Sequence, residues 1–128
     1  MQKKCVIGEA DPFIARLLQR FVEESGLKPM CAKNGREVVN LVRQEKPQLI
    51  IVDVELPGTT RGWQAIVALR ENAEFSDLPV ITCSWLLAPE AQSLVGEVSG
   101  HLQKPDLHFK DFMAALEMAR IEGNQDSA

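Results

Sequence analysis

Five side chains of this 128-residue chain carry reactive or charged groups at places set by its apolar pattern. Asp53 ends the unbroken apolar run Leu49-Ile50-Ile51-Val52 and is followed by Val54-Glu55-Leu56-Pro57-Gly58. Glu9 and Asp11 come just after Val6-Ile7-Gly8, Ser84 just after Pro79-Val80-Ile81-Thr82-Cys83, and Lys104 just after His101-Leu102-Gln103. A carboxylate held at the end of a buried strand is a nucleophile able to take a phosphoryl group. Neighbouring carboxylates repel unless a cation lies among them, so Mg2+ is the expected occupant. A serine hydroxyl would donate a hydrogen bond to a phosphoryl oxygen, and a lysine ammonium would neutralise its charge. Each residue alone has a plainer use. Asp53 would brace the Pro-Gly turn, Asp11 cap a helix, Ser84 bond to loop backbone, and Glu9 and Lys104 face solvent. Their recurrence at successive strand ends favours one shared site.

The elements that must position them follow from periodicity. Lys4 to Gly8 reads as a first strand. Asp11 as N-cap and Pro12 as first helical residue open a helix whose stripe is Phe13, Ile14, Leu17, Leu18, Phe21 and Val22, closed at Ser25-Gly26. Lys28 to Ala32 is a weaker strand because of Pro29. Asn34-Gly35 starts a second helix, buried through Val38, Val39, Leu41 and Val42 and stopped by Pro47. The apolar run before Asp53 fits a strand covered on both faces, the kind found in parallel sheets. A loop, Pro57 to Gly62, leads to a helix from Trp63 to Asn72 with Trp63, Ile66, Val67 and Leu69 inward. Pro79 to Cys83 is a fourth strand, Ala88 to Val98 a fourth helix, and His101 to Gln103 a fifth strand. A last helix, His108 to Ile121, carries Phe109, Phe112, Met113 and Leu116 on one face.

Strand and helix alternate five times, which implies parallel strands and right-handed crossovers. The expected fold is α/β, a flavodoxin-like (βα)5 three-layer sandwich with a five-stranded parallel sheet in the order 2-1-3-4-5. Residues 1–121 form one domain and residues 122–128 a polar tail. Gly8-Glu9-Ala10-Asp11-Pro12 is no glycine-rich phosphate cradle, which disfavours a dinucleotide-binding domain.

Composition narrows the function. A formal net charge of −4 with no basic block argues against nucleic acid as a ligand. No apolar run is long enough to span a membrane, and the start of the chain lacks a signal peptide, so the expected location is the cytoplasm. Cys5, Cys31 and Cys83 match neither a disulfide framework nor a zinc pattern; all three fall in strands and read as buried thiols. Trp85-Leu86-Leu87 lies in a loop, where it either folds back into the core or offers an apolar patch to a partner.

From Val6 to Pro12, Leu49 to Gly58, Pro79 to Ser84 and Leu102 to Pro105, the chain resembles the receiver domains of response regulators, the CheY-like family. The resemblance covers about residues 3 to 121. It implies that Asp53 is the phosphoacceptor, Ser84 the switch hydroxyl and Lys104 the phosphoryl-binding lysine. It implies Mg2+ held by Glu9, Asp53 and the backbone carbonyl of Glu55, and a cis bond between Lys104 and Pro105. The donor it implies is a sensor histidine kinase or phosphotransfer protein, and the output a downstream protein partner reached through the fourth and fifth helices. Such a protein is not an enzyme in the ordinary sense, although it assists its own phosphorylation and dephosphorylation.

The sequence also departs from the family. Ala10 stands where a second acid is usual, so Mg2+ binding is expected to be weak. Trp85 replaces a small residue, and His101 replaces the aromatic that accompanies switching. The Gly-Ala pair usual before the fifth strand is missing. Two functions follow: a phosphorylatable receiver, or a degenerate pseudo-receiver that recognises a protein without phosphoryl transfer. A haloacid-dehalogenase-like phosphatase also uses an aspartyl nucleophile, but on an early strand and in a longer chain.

Overall fold

The computed structural model describes residues 2–121. Five strands and five helices alternate along them: β1 (Lys4–Gly8), α1 (Pro12–Glu24), β2 (Lys28–Ala32), α2 (Gly35–Glu45), β3 (Leu49–Val52), α3 (Gly62–Arg70), β4 (Val80–Ser84), α4 (Ala88–Val95), β5 (Gly100–Gln103) and α5 (Phe109–Ala119). The strands are parallel and lie in the order β2-β1-β3-β4-β5, the flavodoxin-like arrangement that the alternation predicts. The tail, 122–128, lies outside the described residues.

Alternation along the strands feeds two cores. On one face Cys5, Ile7, Leu49, Ile51, Ile81 and Leu102 pack with Leu18, Phe21 and Val22 of α1 and with Phe112 and Leu116 of α5. On the other, Val6, Ile50, Val52 and Val80 meet Val38 and Val42 of α2, Ile66 and Leu69 of α3, and Ala91 and Val95 of α4. All four residues of β3 are fully buried, which explains its unbroken apolar run. The Phe21 and Phe112 rings stack at 5.8 Å and tie α1 to α5.

Several local expectations are corrected. Phe13 is 83% exposed, because the first turn of α1, capped by the Asp11 side chain, begins at the rim of the sheet rather than over it. Met113 borders the buried face of α5 and is exposed. Val39, Leu41, Trp63 and Val67 are only partly buried. Cys31 lies in β2 as expected but is exposed, since β2 is an edge strand; Cys5 and Cys83 are buried. Helix α4 stops at Val95 rather than Val98. Gly96 takes a positive φ of 80°, and Arg70 donates to the carbonyls of Val95 and Glu97, fastening that end to α3. At the other end of the helix, Glu90 Oε1 accepts the Leu87 N–H at 2.9 Å.

Candidate functional site

The strand register brings the chemistry-bearing residues to one rim. Gly8 pairs with Val52, and the ladder runs on as the Asp53 N–H donates to the Gly8 carbonyl at 2.9 Å. Glu9 therefore sits beside Asp53. At the other edge Ser84 pairs with Gln103, and the Lys104 N–H donates to the Ser84 carbonyl at 2.8 Å. Residues 9, 53, 84 and 104 thus all leave the sheet at its carboxyl end. All four are buried.

Lys104 links the acids. Its Nζ lies 2.9 Å from Asp53 Oδ2 and 2.9 Å from Glu9 Oε1, and it donates to Glu9 Oε2 at 3.1 Å. Burial alone would lower the Lys104 pKa, but the hydrogen bonds to Glu9 and Asp53 outweigh it and hold the ammonium above its ordinary range. Burial raises the Glu9 pKa, against the hydrogen bonds from Lys104 and from the Asp11 N–H. Asp53 has two tasks. Its Oδ1 accepts the Glu55 N–H at 2.9 Å and braces the loop, while Oδ2 meets the lysine. The carboxylate that braces the loop and the one that meets the lysine are the same side chain. The Lys104-Pro105 bond is cis.

Ser84 donates to the Glu55 carboxylate at 3.2 Å and accepts the Leu86 N–H at 3.0 Å. Its hydroxyl thus faces the loop that follows Asp53. His101 does not swing free. Its Nε2 lies 2.8 Å from the Leu86 carbonyl, which can only accept, so Nε2 carries the proton. Its Nδ1 lies 2.7 Å from the buried Thr82 hydroxyl. Leu86 packs partly into the core, whereas Trp85 and Leu87 are about 60% exposed, at 62% and 60%. The Trp85-Leu86-Leu87 stretch therefore splits: its middle residue folds back and its outer two form the apolar patch. Asp11 faces away as an N-cap, accepting from the Phe13 and Ile14 N–H groups, and Ala10 is exposed.

The donor set fits a hard divalent cation, at its lean limit. Among the described residues no three His, Cys, Asp or Glu side chains form a metal cluster. Glu9, Asp53 and Glu55 could supply two carboxylates and one carbonyl in exchange for their contacts with Lys104 and Arg61, and Mg2+ commonly keeps several waters beside one or two carboxylates. Glu9 Oε1 is buried with no hydrogen bond of good geometry, since the nearby lysine directs its hydrogen bond to Oε2. That oxygen still lies 2.9 Å from the Lys104 ammonium, so a cation bound there would share it with the lysine.

Three contacts had no signal in the sequence. The Glu55 side chain binds Ser84, Thr82 holds His101, and the Arg61 guanidinium donates to the Glu55 carbonyl at 3.2 Å. Each is set by loop or ring geometry that periodicity does not encode.

Comparison with known proteins places this geometry. The family model described as "Response regulator receiver domain" matches residues 5–117. The polar-differentiation response regulator DivK of Brucella anthropi is 28% identical over 107 residues, covering 82% of this chain and 86% of DivK. Protein PilH of Pseudomonas aeruginosa is 41% identical over 78 residues, 61% of this chain and 64% of PilH. The crystal structure of the chemotaxis protein CheY4 of Vibrio cholerae superposes with a TM-score of 0.80 at 20% identity, covering 93% of this chain and 99% of CheY4, and so shares the fold. Receiver domains generally bind Mg2+ at their acidic site and act with kinases or phosphotransfer proteins and downstream partners. With the sheet order, the rim of acids and the matched residues in agreement, this chain belongs to the response regulator receiver domain family.

Proposed function

We propose that the protein is a phosphorylatable receiver in which Asp53 accepts a phosphoryl group from a phosphohistidine on a sensor kinase or phosphotransfer protein. The observation that carries this is the contact of the Lys104 ammonium with the Asp53 carboxylate at 2.9 Å, inside a rim that also holds Glu9 and Ser84. Asp53 Oδ2 is the attacking atom. The new bond joins it to phosphorus, the phosphorus–nitrogen bond of the donor breaks, and the imidazole nitrogen leaves with the electron pair and takes up a proton. The product is an acyl phosphate, and the protein serves as substrate rather than as a turnover enzyme.

Lys104 loses part of its carboxylate partner in that step and gains phosphoryl oxygens in its place. Ser84 releases Glu55 to donate to the same group. Because Leu86 is tied to both Ser84 and His101, that movement is passed to His101, and so to β5 and the α4 and α5 face. Glu9, Asp53 and the Glu55 carbonyl would hold Mg2+. When bound, the ion supplies positive charge to the carboxylates and the transferred oxygens. Its affinity is low because Ala10 offers no oxygen. Trp85 and Leu87 serve the downstream partner. The protein works in the cytoplasm without contact to nucleic acid or membrane; no helix among the described residues is long and apolar enough to cross a bilayer.

Ala10 also favours a second reading, a pseudo-receiver that binds its partner without phosphorylation. Intact mass after incubation with Mg2+ and a small phosphodonor separates the two. The receiver gains one phosphate, and Asp53→Ala gains none. The pseudo-receiver gains none at any Mg2+ concentration.

A further inference from the structure

We propose that Arg61 competes with the divalent cation for the Glu55 carbonyl and so sets how readily this site takes metal. The inference rests on the receiver reading of the site. Arg61 is exposed and precedes α3, yet its guanidinium turns back over the loop after Asp53 and donates from Nη2 to the Glu55 carbonyl at 3.2 Å. This carbonyl is the one neutral oxygen in the donor set, beside Glu9 and Asp53.

The start of α3 is fixed against that loop. The Gly62 N–H donates to the Leu56 carbonyl at 3.1 Å and the Trp63 N–H to the Val54 carbonyl at 3.0 Å. The Arg61 N–H donates to Gln64 Oε1 at 2.8 Å, so the backbone from which the guanidinium reaches is itself held. Glu55 is occupied at both ends, its carbonyl by Arg61 and its carboxylate by Ser84.

A permanently charged guanidinium on this carbonyl opposes a divalent ion in two ways. It donates a hydrogen bond to the oxygen and so occupies it, and it places like charge beside the ion. Ala10 has already removed one attraction, so the opposing charge weighs more here than beside a full set of acids. Arg61 is therefore the resident cation of the loop when metal is scarce.

Calorimetric titration with MgCl2 alone, on the full chain, tests this. Four proteins are compared: the wild type, Arg61→Ala, Arg61→Lys and Ala10→Asp. The Arg61→Ala protein should bind Mg2+ about three- to tenfold tighter, the span expected from removing one exposed charge-assisted hydrogen bond. Arg61→Lys keeps the charge without the fork and should fall between. Ala10→Asp should tighten binding independently. The Arg61 side chain is exposed and its helix-start bond uses the backbone, so both position-61 variants should fold; if Arg61→Ala does not, Arg61→Lys carries the test alone. Unchanged or weaker binding in the position-61 variants, with tighter binding in Ala10→Asp, overturns the role of Arg61 and leaves the receiver reading standing. No gain in any of the three variants overturns both the role of Arg61 and the placement of the metal.

Discussion

The Asp53, Glu9 and Lys104 triad sets the charge of the site at the scale of single residues. One ammonium meets two carboxylates; at Lys104 the hydrogen bonds outweigh burial, whereas at Glu9 burial outweighs the hydrogen bonds. Its pKa is raised, so the folded protein keeps a proton on Glu9 to higher pH than the unfolded chain, where a glutamate titrates near ~4.3. The stability tied to Glu9 is therefore greatest near and below that pH and falls as pH climbs through the raised value. Lys104 is raised as well; its contribution is present below the ordinary lysine range and is lost only in strong base, so it does not change between pH 4 and 7, a window of about three units. Glu9→Gln should consequently melt a few degrees above the wild type at neutral pH, and the gain should shrink toward pH ~4. Thermal melts across that range check it; a variant that melts lower at neutral pH would mean that the carboxylate is net stabilising. Asp53, Ser84 and Lys104 were legible in the sequence because each follows an apolar strand, and strand ends converge in this topology. Arg61 and the Glu55 carboxylate were not, since a loop side chain's partner depends on how the loop turns.

At the scale of elements, the helix starts and stops decide where the reactive groups sit. The site depends on α3 meeting the loop after Asp53 without a side chain between them. A Cβ on Gly62 would lie 1.8 Å from the Asp53 carbonyl oxygen, a backbone atom that cannot swing aside. Gly62→Ala should therefore cost about 2 kcal/mol or more and displace the loop that presents Asp53. Chemical denaturation gives the magnitude; a loss of less than about 0.5 kcal/mol would show that α3 can withdraw freely. Periodicity identified all ten elements, because the buried strands and amphipathic helices differ clearly in their apolar spacing. It overextended α4, whose end is set by the positive φ at Gly96 and by Arg70 reaching across from α3. It also placed Phe13 inside, since spacing alone does not say where a helix overhangs its sheet.

For the whole molecule, the parallel sheet is what makes a common site out of distant residues. Alternation of strand and helix was enough to give the order β2-β1-β3-β4-β5, because short connections and right-handed crossovers leave few other arrangements. Burial was less legible at the edges. Cys31 follows the strand pattern but lies on edge strand β2, where its outer side faces solvent. The same topology sets Asp53 at the centre of the rim, flanked by Glu9 from β1 and Lys104 from β5, and this central position supports the proposal that it accepts a phosphoryl group. Borohydride reduction of the phosphorylated protein followed by peptide sequencing is the most direct measurement. An acyl phosphate on an aspartate is reduced to homoserine, so after treatment with Mg2+ and a small phosphodonor the peptide should carry homoserine at position 53 and at no other aspartate. Phosphorylation with residue 53 still an aspartate, or reduction at a different carboxylate, would contradict the account.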